Sequence, residues 1–398
     1  MSLFSSVELA PRDPILGLNE QFAADANPNK VNLGVGVYFD ENGKLPLLDC
    51  VQAAEKALMA TPKPRGYLPI DGIPAYDSGV KQLVFGADSE PIKSGRVATV
   101  QGLGGTGALK IGADFLKHLN PAAKVLISDP SWENHRALFT QAGFEVGTYR
   151  YYDASTRRLN FEGMLADLQA AATGTIVVLH ACCHNPTGYD ITAAQWDQVV
   201  ATVQAKRLTA FLDMAYQGFG HGIQEDGAVI QKFVAAGLTF FVSTSFSKSF
   251  SLYGERVGAL SVLCASQDEA ARVLSQLKIM IRTNYSNPPT HGGSVVAMVL
   301  NDASLRAQWE QELAGMRTRI KAMRQKLVDG LKAAGVKQDM DFITEQIGMF
   351  SYSGLSKDQM VRLRSEFGVY GTDTGRMCVA ALNSKNIDYV CQAIARVM

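Results

Sequence analysis

The sequence of 398 residues lacks an excess of charge of either sign, a cysteine framework and an apolar run of transmembrane length. Lysine plus arginine (38) equals aspartate plus glutamate (38), so the net charge gives no argument for a nucleic-acid or membrane partner. The six cysteines form no Cys-x-x-Cys pair, which indicates neither a disulfide framework nor a metal site. The chain starts without a basic segment followed by an apolar one, so we expect no signal peptide and a cytoplasmic location.

What is present is the composition of a globular protein, with 47% apolar and 19% charged residues. A chain of this length is too long for one simple core, so we expect two domains, interleaved or consecutive. A buried anionic small molecule is still compatible with zero net charge, because a local site does not show in the total. Cys182 and Cys183 lie side by side in an apolar run, and we expect them to be buried and reduced.

Short apolar runs alternate with helical patterns in the middle of the chain, as is typical of strand–helix units in a largely parallel sheet. The runs that we predict as strands are 97–100, 125–127, 176–179, 208–212, 240–242 and 257–263. Ligands in such sheets collect beyond the carboxyl ends of the strands. Small or polar residues follow five of the runs, at 102–107, 129–132, 180–185, 213–216 and 243–248. The sequence therefore predicts a ligand site at this edge of the sheet.

The flanking regions carry different patterns. Residues 1 to about 30 contain three prolines and predict an extended arm, and 31–37 predicts a short strand interrupted by Gly34 and Gly36. A helical pattern covers 47–60, and 339–398 indicates a smaller α+β domain. Apolar residues recur at spacings of three and four at Leu305, Trp309, Leu313, Met316, Ile320, Met323, Leu327 and Leu331. This stripe predicts one amphipathic helix, long enough at ~1.5 Å per residue to bridge two domains.

The glycine-rich segment 101–110 follows one predicted strand and opens a helix. Its backbone N–H groups, with Thr106 as a helix cap, favour an anion site. Gly102, Gly104 and Gly107 also match the dinucleotide fingerprint, with Asp129 after the next strand as the acidic residue. A nicotinamide dehydrogenase is therefore an alternative, although it gives Lys248 no role.

The segment 243–256 passes from an apolar strand into hydroxyl residues that surround Lys248, and it ends at Arg256. A lysine at the end of a buried strand is costly unless it is neutral, paired or covalently used. Arg256 is suited to a phosphate. The alternative is a surface turn in which Lys248 is solvated and Arg256 forms an ordinary ion pair.

Several other polar residues follow apolar strands. Asp213 ends the run 208–212 and needs a cation or several donors to stay ionised, although a helix cap would also explain it. Tyr216 can point to the same side, and Asn185 belongs to a turn that either binds a ligand or only forms the turn. Arg376 and Arg282 stand among apolar or turn residues and suit carboxylates, or are surface charges. Trp132 either stacks on a ring or fills the core.

Taken together, these residues supply an amine that forms an imine, an acid for a ring nitrogen, an anion cradle and arginines for carboxylates. One cofactor needs this set, namely pyridoxal phosphate. The sequence also closely resembles the aspartate/aromatic aminotransferases, a family of dimeric fold-type I pyridoxal-phosphate enzymes. Six motifs stand in the family's order: Gly-Gly-Thr-Gly-Ala-Leu, Pro-Ser-Trp-Glu-Asn-His, His-Asn-Pro-Thr-Gly, Asp-Met-Ala-Tyr-Gln-Gly-Phe, Ser-Phe-Ser-Lys-Ser-Phe-Ser-Leu-Tyr-Gly-Glu-Arg-Val-Gly and Arg-Thr-Asn-Tyr-Ser-Asn-Pro-Pro. The resemblance covers essentially the whole chain.

The resemblance implies a mostly parallel sheet sandwiched by helices in a large cofactor-binding domain, residues 46–315. Residues 1–45 and 316–398 would form the N-terminal arm and a small α+β domain that closes over the site. It also implies a homodimer with shared active sites, whose small-molecule substrates are amino acids and 2-oxo acids.

The resemblance further implies roles for individual residues. Lys248 would form the Schiff base and carry protons, and Asp213, helped by His135, would pair with the pyridine nitrogen, while Tyr216 and Asn185 bind the ring O3′. The groups expected around the phosphate and ring are Gly105, Thr106, Ser245, Arg256, Trp132 and, from the second subunit, Tyr67. The groups expected around the substrate are Gly36, Trp132, Asn185, Arg376 and, from the neighbouring subunit, Arg282.

Substrate choice is the narrower question. Arg282 favours dicarboxylates, whereas Phe39, Leu45 and Gly66 stand where the aspartate-preferring branch tends to carry more polar residues. We therefore predict an aminotransferase of tyrosine and phenylalanine with 2-oxoglutarate that also accepts aspartate and glutamate. The alternative is an aspartate aminotransferase with little aromatic activity. Less favoured are another pyridoxal-phosphate reaction, the dehydrogenase, and a non-catalytic ligand-binding regulator.

Overall fold

The computed structural model describes residues 2–398, with both helices and strands along the chain. The strands are β1 (Val31–Asn32), β2 (Val97–Leu103), β3 (Lys124–Asp129), β4 (Glu145–Arg150), β5 (Tyr152–Asp153), β6 (Arg158–Leu159), β7 (Ile176–His180), β8 (Thr209–Met214), β9 (Phe240–Ser245), β10 (Val257–Leu263), β11 (Phe350–Tyr352), β12 (Val369–Tyr370) and β13 (Arg376–Cys378). The helices are α1 (Leu16–Ala24), α2 (Asp49–Ala60), α3 (Pro74–Phe85), α4 (Glu90–Lys93), α5 (Gly104–Leu119), α6 (Glu133–Gln141), α7 (Phe161–Ala170), α8 (Ala193–Lys206), α9 (Ile223–Ala235), α10 (Gln267–Asn284), α11 (His291–Asn301), α12 (Ala303–Ala333), α13 (Phe342–Glu345), α14 (Lys357–Phe367) and α15 (Ile387–Val397). Two short 3-10 turns cover Tyr253–Glu255 and Val379–Ala381.

The central sheet has seven strands in the order β2-β10-β9-β8-β7-β3-β4. The neighbours from β9 to β4 pair in parallel, and β10 runs antiparallel to both β2 and β9. All six predicted strands are present, so the prediction of a largely parallel sheet is confirmed. The sequence missed β4 because that strand lies at the sheet edge, is partly exposed and has no continuous apolar run.

The strand order contradicts the dinucleotide interpretation of the glycine-rich segment. In a dinucleotide-binding unit, the acidic residue ends the strand beside the glycine-bearing strand. Here β2 precedes Gly104, but Asp129 ends β3, and four strands separate β2 from β3 in the sheet. Asp129 therefore cannot reach a ligand held at Gly104 in the manner that the fingerprint requires.

Helices cover both faces of the sheet, with two separate clusters of buried apolar side chains between them. Helix α5 packs closely on β8 because residue 112 is a glycine. A Cβ at Gly112 would lie 2.6 Å from the Phe211 ring. This close approach fixes the start of α5, and hence the backbone of Gly104 and Gly105, at the carboxyl edge of the sheet.

Helix α12 confirms the predicted amphipathic helix. The Asp302 carboxylate accepts from the N–H groups of Ser304 and Leu305, both at 2.9 Å, and so begins the helix. The predicted stripe is buried from Trp309 to Leu331, while Leu305 is partly buried. At ~1.5 Å per residue the helix is about 46 Å long. It contacts α2, α11, α13 and α15, and therefore touches elements from both the N-terminal and C-terminal regions.

The two ends of the chain join in small sheets. Strand β1 pairs in parallel with β12, and β11 pairs antiparallel with β13. Two predictions were wrong here. The arm contains helix α1, which begins after the Asp13 carboxylate accepts from Ile15 N–H and Leu16 N–H at 2.9 and 2.7 Å. The predicted strand 31–37 is only two residues long, because the chain leaves the β1–β12 pairing after the bond from Leu33 N–H to the Tyr370 carbonyl.

None of the helices in residues 2–398 is both long enough and apolar enough to cross a membrane. The six cysteines are buried with free thiols, which confirms the expectation for Cys182 and Cys183.

Candidate active site

A cavity of about 270 Å³ lies at the carboxyl edge of the sheet, where the sequence predicts a ligand site. Lys248 follows β9, and its amine lies 4.8 Å from the centre of the Tyr216 ring. The Lys248 side chain is half-buried and lines the cavity. Burial lowers the pKa of Lys248 to about 8, against the opposing effect of Asp213 and with the help of the Arg256 and Arg376 charges. With this pKa, roughly a tenth of the amine is unprotonated at pH 7, far more than for an ordinary lysine.

Asp213 lies near the end of β8, in register with His180 of β7 on one side and Ser243 of β9 on the other. His135 Nε2 donates to Asp213 Oδ2 at 2.9 Å, and the Ser131 hydroxyl lies 2.9 Å from His135 Nδ1. A neutral imidazole satisfies both contacts by donating from Nε2 and accepting at Nδ1. Burial alone would raise the pKa of Asp213, but the hydrogen bond from His135 and the positive charge of Lys248 hold that pKa below its ordinary value. The carboxylate is therefore ionised and faces the cavity.

His180 lines the cavity beside Asp213, and neither of its ring nitrogens has a hydrogen-bond partner within residues 2–398. Its ring centre lies 5.0 Å from that of His135 and 4.2 Å from that of His184. Burial lowers the pKa of His180 well below its ordinary value, against the opposing effect of Asp213, so the ring is neutral. The neutral ring adds no positive charge next to the Asp213 carboxylate.

An anion cradle lies at the start of α5. The backbone of Gly104 packs so closely on Arg256 that a Cβ at Gly104 would lie 2.6 Å from Arg256 Nη2, and a Cβ at Gly105 would lie 3.0 Å from Ser245 Cβ. Gly104 also has a φ of +68°, which favours glycine. Thr106, Ser245 and Arg256 line the cavity around this helix terminus. Free N–H groups, hydroxyls and a guanidinium thus converge on one point, as phosphate binding requires.

Arg376 also lines the cavity, and only 1% of its surface is exposed. Its Nη1 donates to Asn185 Oδ1 at 3.0 Å and its Nη2 donates to the Gly34 carbonyl at 2.7 Å. Its Nε has no partner within residues 2–398. The guanidinium stacks on the Phe350 ring at 4.4 Å. A positive charge fixed in this way, with an unused donor, is suited to a carboxylate.

Tight packing controls the remaining contacts on this wall. The Phe350 ring meets the Tyr216 ring edge to face at 5.7 Å, and a Cβ at Gly36 would lie 2.7 Å from Phe350 Cζ. Trp132 lines the cavity and meets His135 edge to face at 5.3 Å. The cavity is therefore bounded by aromatic rings between the anion cradle and Arg376.

The structure brings most of the predicted site residues together. Three of them, His135, Tyr67 and Arg282, do not line the cavity. The predicted residues that line the cavity are Gly36, Gly105, Thr106, Trp132, Asn185, Asp213, Tyr216, Ser245, Lys248, Arg256 and Arg376. His135 contacts Asp213 from behind. Tyr67 is 95% exposed, and Arg282 is exposed at the end of α10, where it donates to the Ser286 hydroxyl.

The residues behind the aromatic prediction do not line the cavity in this chain. Leu45 and Gly66 are exposed, and Phe39 is partly buried against the core. Apolar side chains that do line the cavity are Ile15, Val35, Val37 and Leu109. Sequence reasoning missed these, and it also missed Phe350 and Tyr253. Val35, Val37, Leu109 and Tyr253 lie inside segments whose sequence already indicated a site, whereas Ile15 and Phe350 carried no such signal.

The residues present fit a phosphorylated aromatic aldehyde. The cradle would take its phosphate, Asp213 a protonated ring nitrogen, Trp132 a ring face, and the Lys248 amine the aldehyde carbon. Arg376 remains available for a carboxylate on the far side. The donor set thus provides one group for each polar part of such a ligand and an aromatic wall for its ring.

Comparison with known proteins gives the family. The model of the class I and II aminotransferases matches residues 28–394. An aspartate aminotransferase from Pseudomonas aeruginosa is 62% identical over 398 residues, and an aromatic-amino-acid aminotransferase from Escherichia coli is 51% identical over 397, each with 100% of both chains covered. A crystal structure of an aromatic-amino-acid aminotransferase from Burkholderia pseudomallei, covalently bound to pyridoxal phosphate, shares 67% identity with a TM-score of 0.97 over 100% of both chains. The chain belongs to the class I and II aminotransferases.

Proposed function

We propose that this protein transfers the amino group of aromatic amino acids to 2-oxoglutarate, with pyridoxal phosphate bound in the cavity and Lys248 as its Schiff-base lysine. The observation that most supports this proposal is the half-buried Lys248 amine, whose pKa is lowered to about 8. It shares a cavity with the Asp213 carboxylate and the anion cradle. A lysine used only for packing or solubility needs neither the low pKa nor these partners.

The cofactor, when bound, supplies an aldehyde carbon and a pyridine ring that accepts electron density. The chain's own residues supply the rest. Asp213, held by His135, would keep a proton on the ring nitrogen, because a buried carboxylate favours the cationic form of its partner. The Lys248 amine would move a proton between the substrate Cα and the cofactor's aldehyde carbon. Its lowered pKa lets it accept and donate that proton near neutral pH.

The groups around Arg376 would orient the substrate. Arg376, with Asn185 and the Gly36 N–H, would hold the α-carboxylate. Tyr216 and Asn185 would contact the ring O3′. The cofactor phosphate would be held by Gly105, Thr106, Ser245 and Arg256, and Trp132 would stack on the ring. These roles would hold the substrate carboxylate and the cofactor on groups that line the same cavity as the Lys248 amine, the proposed proton carrier.

The apolar side chains Ile15, Val35, Val37 and Leu109 support aromatic substrates, because they supply surface on which an aromatic side chain can be buried. Arg282 supports the additional use of aspartate and glutamate. The similar proteins carry both names, aspartate aminotransferase and aromatic-amino-acid aminotransferase, which is compatible with the use of both kinds of substrate.

A homodimer would complete the site. Tyr67 and Arg282 are exposed and lie outside the chain's own cavity, which supports a role for them in the site of a second subunit. We further propose that residues 46–315 form the cofactor-binding domain, and that residues 1–45 with 316–398 form the part that closes over it. The β1–β12 pairing supports this grouping, because it ties the N-terminal segment to the C-terminal region.

Replacing Lys248 with Ala tests the reaction. We expect the rate of transamination to fall by at least about 10³-fold, because the proton carrier is lost. The purified wild-type protein should show a visible absorbance band that fades on adding tyrosine without oxo acid and returns with 2-oxoglutarate. Lys232→Ala, which removes a partly exposed lysine that pairs with Asp197 and does not line the cavity, should behave as wild type. Release of ammonia or carbon dioxide in place of amino transfer would contradict the proposal.

The titration of Lys248 tests the electrostatic argument. In the cofactor-free protein, acetylation of Lys248 followed by mass spectrometry should rise with pH around a midpoint of about 8. A lysine in a short reference peptide should titrate near 10.4. Asp213→Asn should lower the midpoint further, because the carboxylate stabilises the ammonium form. A midpoint near that of the reference peptide would contradict a desolvated amine.

Arg282→Ala tests substrate choice. Losing a charge-assisted contact costs about 1.5–3 kcal/mol, so kcat/KM for aspartate should fall by roughly 10- to 100-fold. The value for phenylalanine should change by less than about threefold, because its side chain makes no ion pair. Wild-type protein that turns over phenylalanine and tyrosine far more poorly than aspartate would favour the alternative, an aspartate aminotransferase with little aromatic activity.

Mixing two variants tests the shared site. In a hybrid dimer of Lys248→Ala and Arg282→Ala chains, one site keeps its own Lys248 and receives Arg282 from the other chain. Random pairing at equal amounts makes half of the dimers hybrid, so about one quarter of the wild-type activity toward aspartate should return. Activity that only equals the sum of the separate variants would place Arg282 in its own chain's site or exclude the dimer.

A further inference from the structure

Tyr253 lines the cavity, yet the proposed function gives it no task. It lies in the 3-10 turn between Lys248 and Arg256. Its phenol oxygen accepts a hydrogen bond from the backbone N–H of Tyr38 at 3.0 Å, across 215 residues of sequence. This bond joins the side of the cavity that carries Lys248 to the N-terminal segment that crosses the opposite side.

The other backbone bonds of that segment lead to the C-terminal region. Leu33 N–H donates to the Tyr370 carbonyl at 2.7 Å, and Phe39 N–H donates to the Ala380 carbonyl at 3.1 Å. Arg376 Nη2 donates to the Gly34 carbonyl at 2.7 Å. Residues 33–39 are therefore bonded to the C-terminal region at both ends, near Leu33 and at Phe39.

The middle of the segment depends on fewer contacts. Val37 N–H donates to the Val35 carbonyl at 2.9 Å, which forms a tight turn around Gly36. Val35, Gly36 and Val37 all line the cavity, and the Gly36 N–H makes no hydrogen bond within residues 2–398. A free N–H in a turn can meet a carboxylate only if the turn is held in place. The bond from Tyr38 to Tyr253 holds the turn from its C-terminal side.

Tyr253 is itself fixed by the anion cradle. Arg256 Nη1 donates to the Tyr253 carbonyl at 2.9 Å, and Gly104 N–H donates to the Arg256 carbonyl at 2.9 Å. The turn 253–256 thus connects the start of α5 with the segment around Gly36. Because an aromatic side chain has few rotatable bonds, the phenol transmits the position of this turn with little freedom.

We propose that Tyr253 is a positioning residue that holds the turn at Gly36 in place for the substrate α-carboxylate. This inference rests on the proposed function and deepens it. It assigns Tyr253 to substrate binding rather than to cofactor binding or proton transfer, because its phenol contacts the carboxylate-binding segment and not the cradle itself.

The test is Tyr253→Phe in the holoenzyme, which removes only the phenol oxygen. Loss of one neutral hydrogen bond should raise KM about three- to tenfold for both phenylalanine and 2-oxoglutarate. The inhibition constant of 3-phenylpropanoate, an unreactive carboxylate, should rise by the same factor. We expect kcat to stay within about twofold of wild type, and the affinity for pyridoxal phosphate to be unchanged.

Tyr149→Phe is the matched control. The Tyr149 phenol, like that of Tyr253, is hydrogen-bonded to the backbone: it donates to the Val178 carbonyl at 2.9 Å. Tyr149 is buried and does not line the cavity. This variant should lose stability, seen as a lower melting temperature, without a change in KM. A role of Tyr253 in stability alone would make the two variants alike.

The outcomes separate the inference from the proposed function. Wild-type KM and inhibition constants in Tyr253→Phe would overturn the inference, and so would a fall in cofactor affinity or in kcat at constant KM. These results require a wild-type protein that transaminates. A wild type with no transamination would overturn the proposed function and, with it, this role of Tyr253.

Discussion

The site depends on one constraint: the half-buried amine of Lys248 and the buried carboxylate of Asp213 line the same cavity. Burial disfavours both charges, yet the two groups respond differently. Burial lowers the pKa of Lys248 to about 8, whereas the pKa of Asp213 stays below its ordinary value because His135 donates to it. The carboxylate thus remains charged and the amine is easily deprotonated. That difference suits the two groups to the proposed roles, in which Asp213 holds a proton on a ring and Lys248 moves protons.

The parallel sheet provides this arrangement through its register. His180, Asp213 and Ser243 occupy one row across three neighbouring strands. Side chains in such a row point to the same face, and at the carboxyl ends of the strands no further strand residues cover them. Helix α6 adds His135 behind Asp213, with Ser131 completing the hydrogen bonds of the ring. Both ring nitrogens of His135 therefore have hydrogen-bond partners, which fixes the orientation of the ring.

The sequence predicted this half of the site because the information is local. A polar residue at the end of an apolar run identifies a strand terminus, and parallel strands bring their termini to the same edge. Asp213, Asn185 and Lys248 were found in this way. Edge strand β4 was missed because exposure removes its apolar pattern, and helix α1 was missed because prolines dominate its surroundings.

The substrate side could not be predicted from residue patterns alone. Phe350 lies in a short strand with no chemical signal, and Ile15 lies in the arm that precedes α1. Their positions depend on how the two ends of the chain pack, which no local periodicity encodes. The resemblance to a known family supplied Gly36 as a substrate contact, but the reason for a glycine at position 36 is the Phe350 ring that a Cβ would meet.

Helix α12 explains how such distant pieces keep a common geometry. Its residue Arg324 is 3% exposed, and its Nη2 donates to the carbonyls of Gly348 and Phe350 at 2.7 and 3.0 Å. Burial lowers the pKa of Arg324 to about 10, so the guanidinium is still charged at neutral pH. Charge-assisted bonds are stronger than neutral ones. They fix the backbone of Phe350, whose ring supports Arg376 and limits residue 36 to glycine. The buried charge of Arg324 on α12 therefore helps to fix the positions of Phe350, Arg376 and Gly36, where we propose that a carboxylate binds.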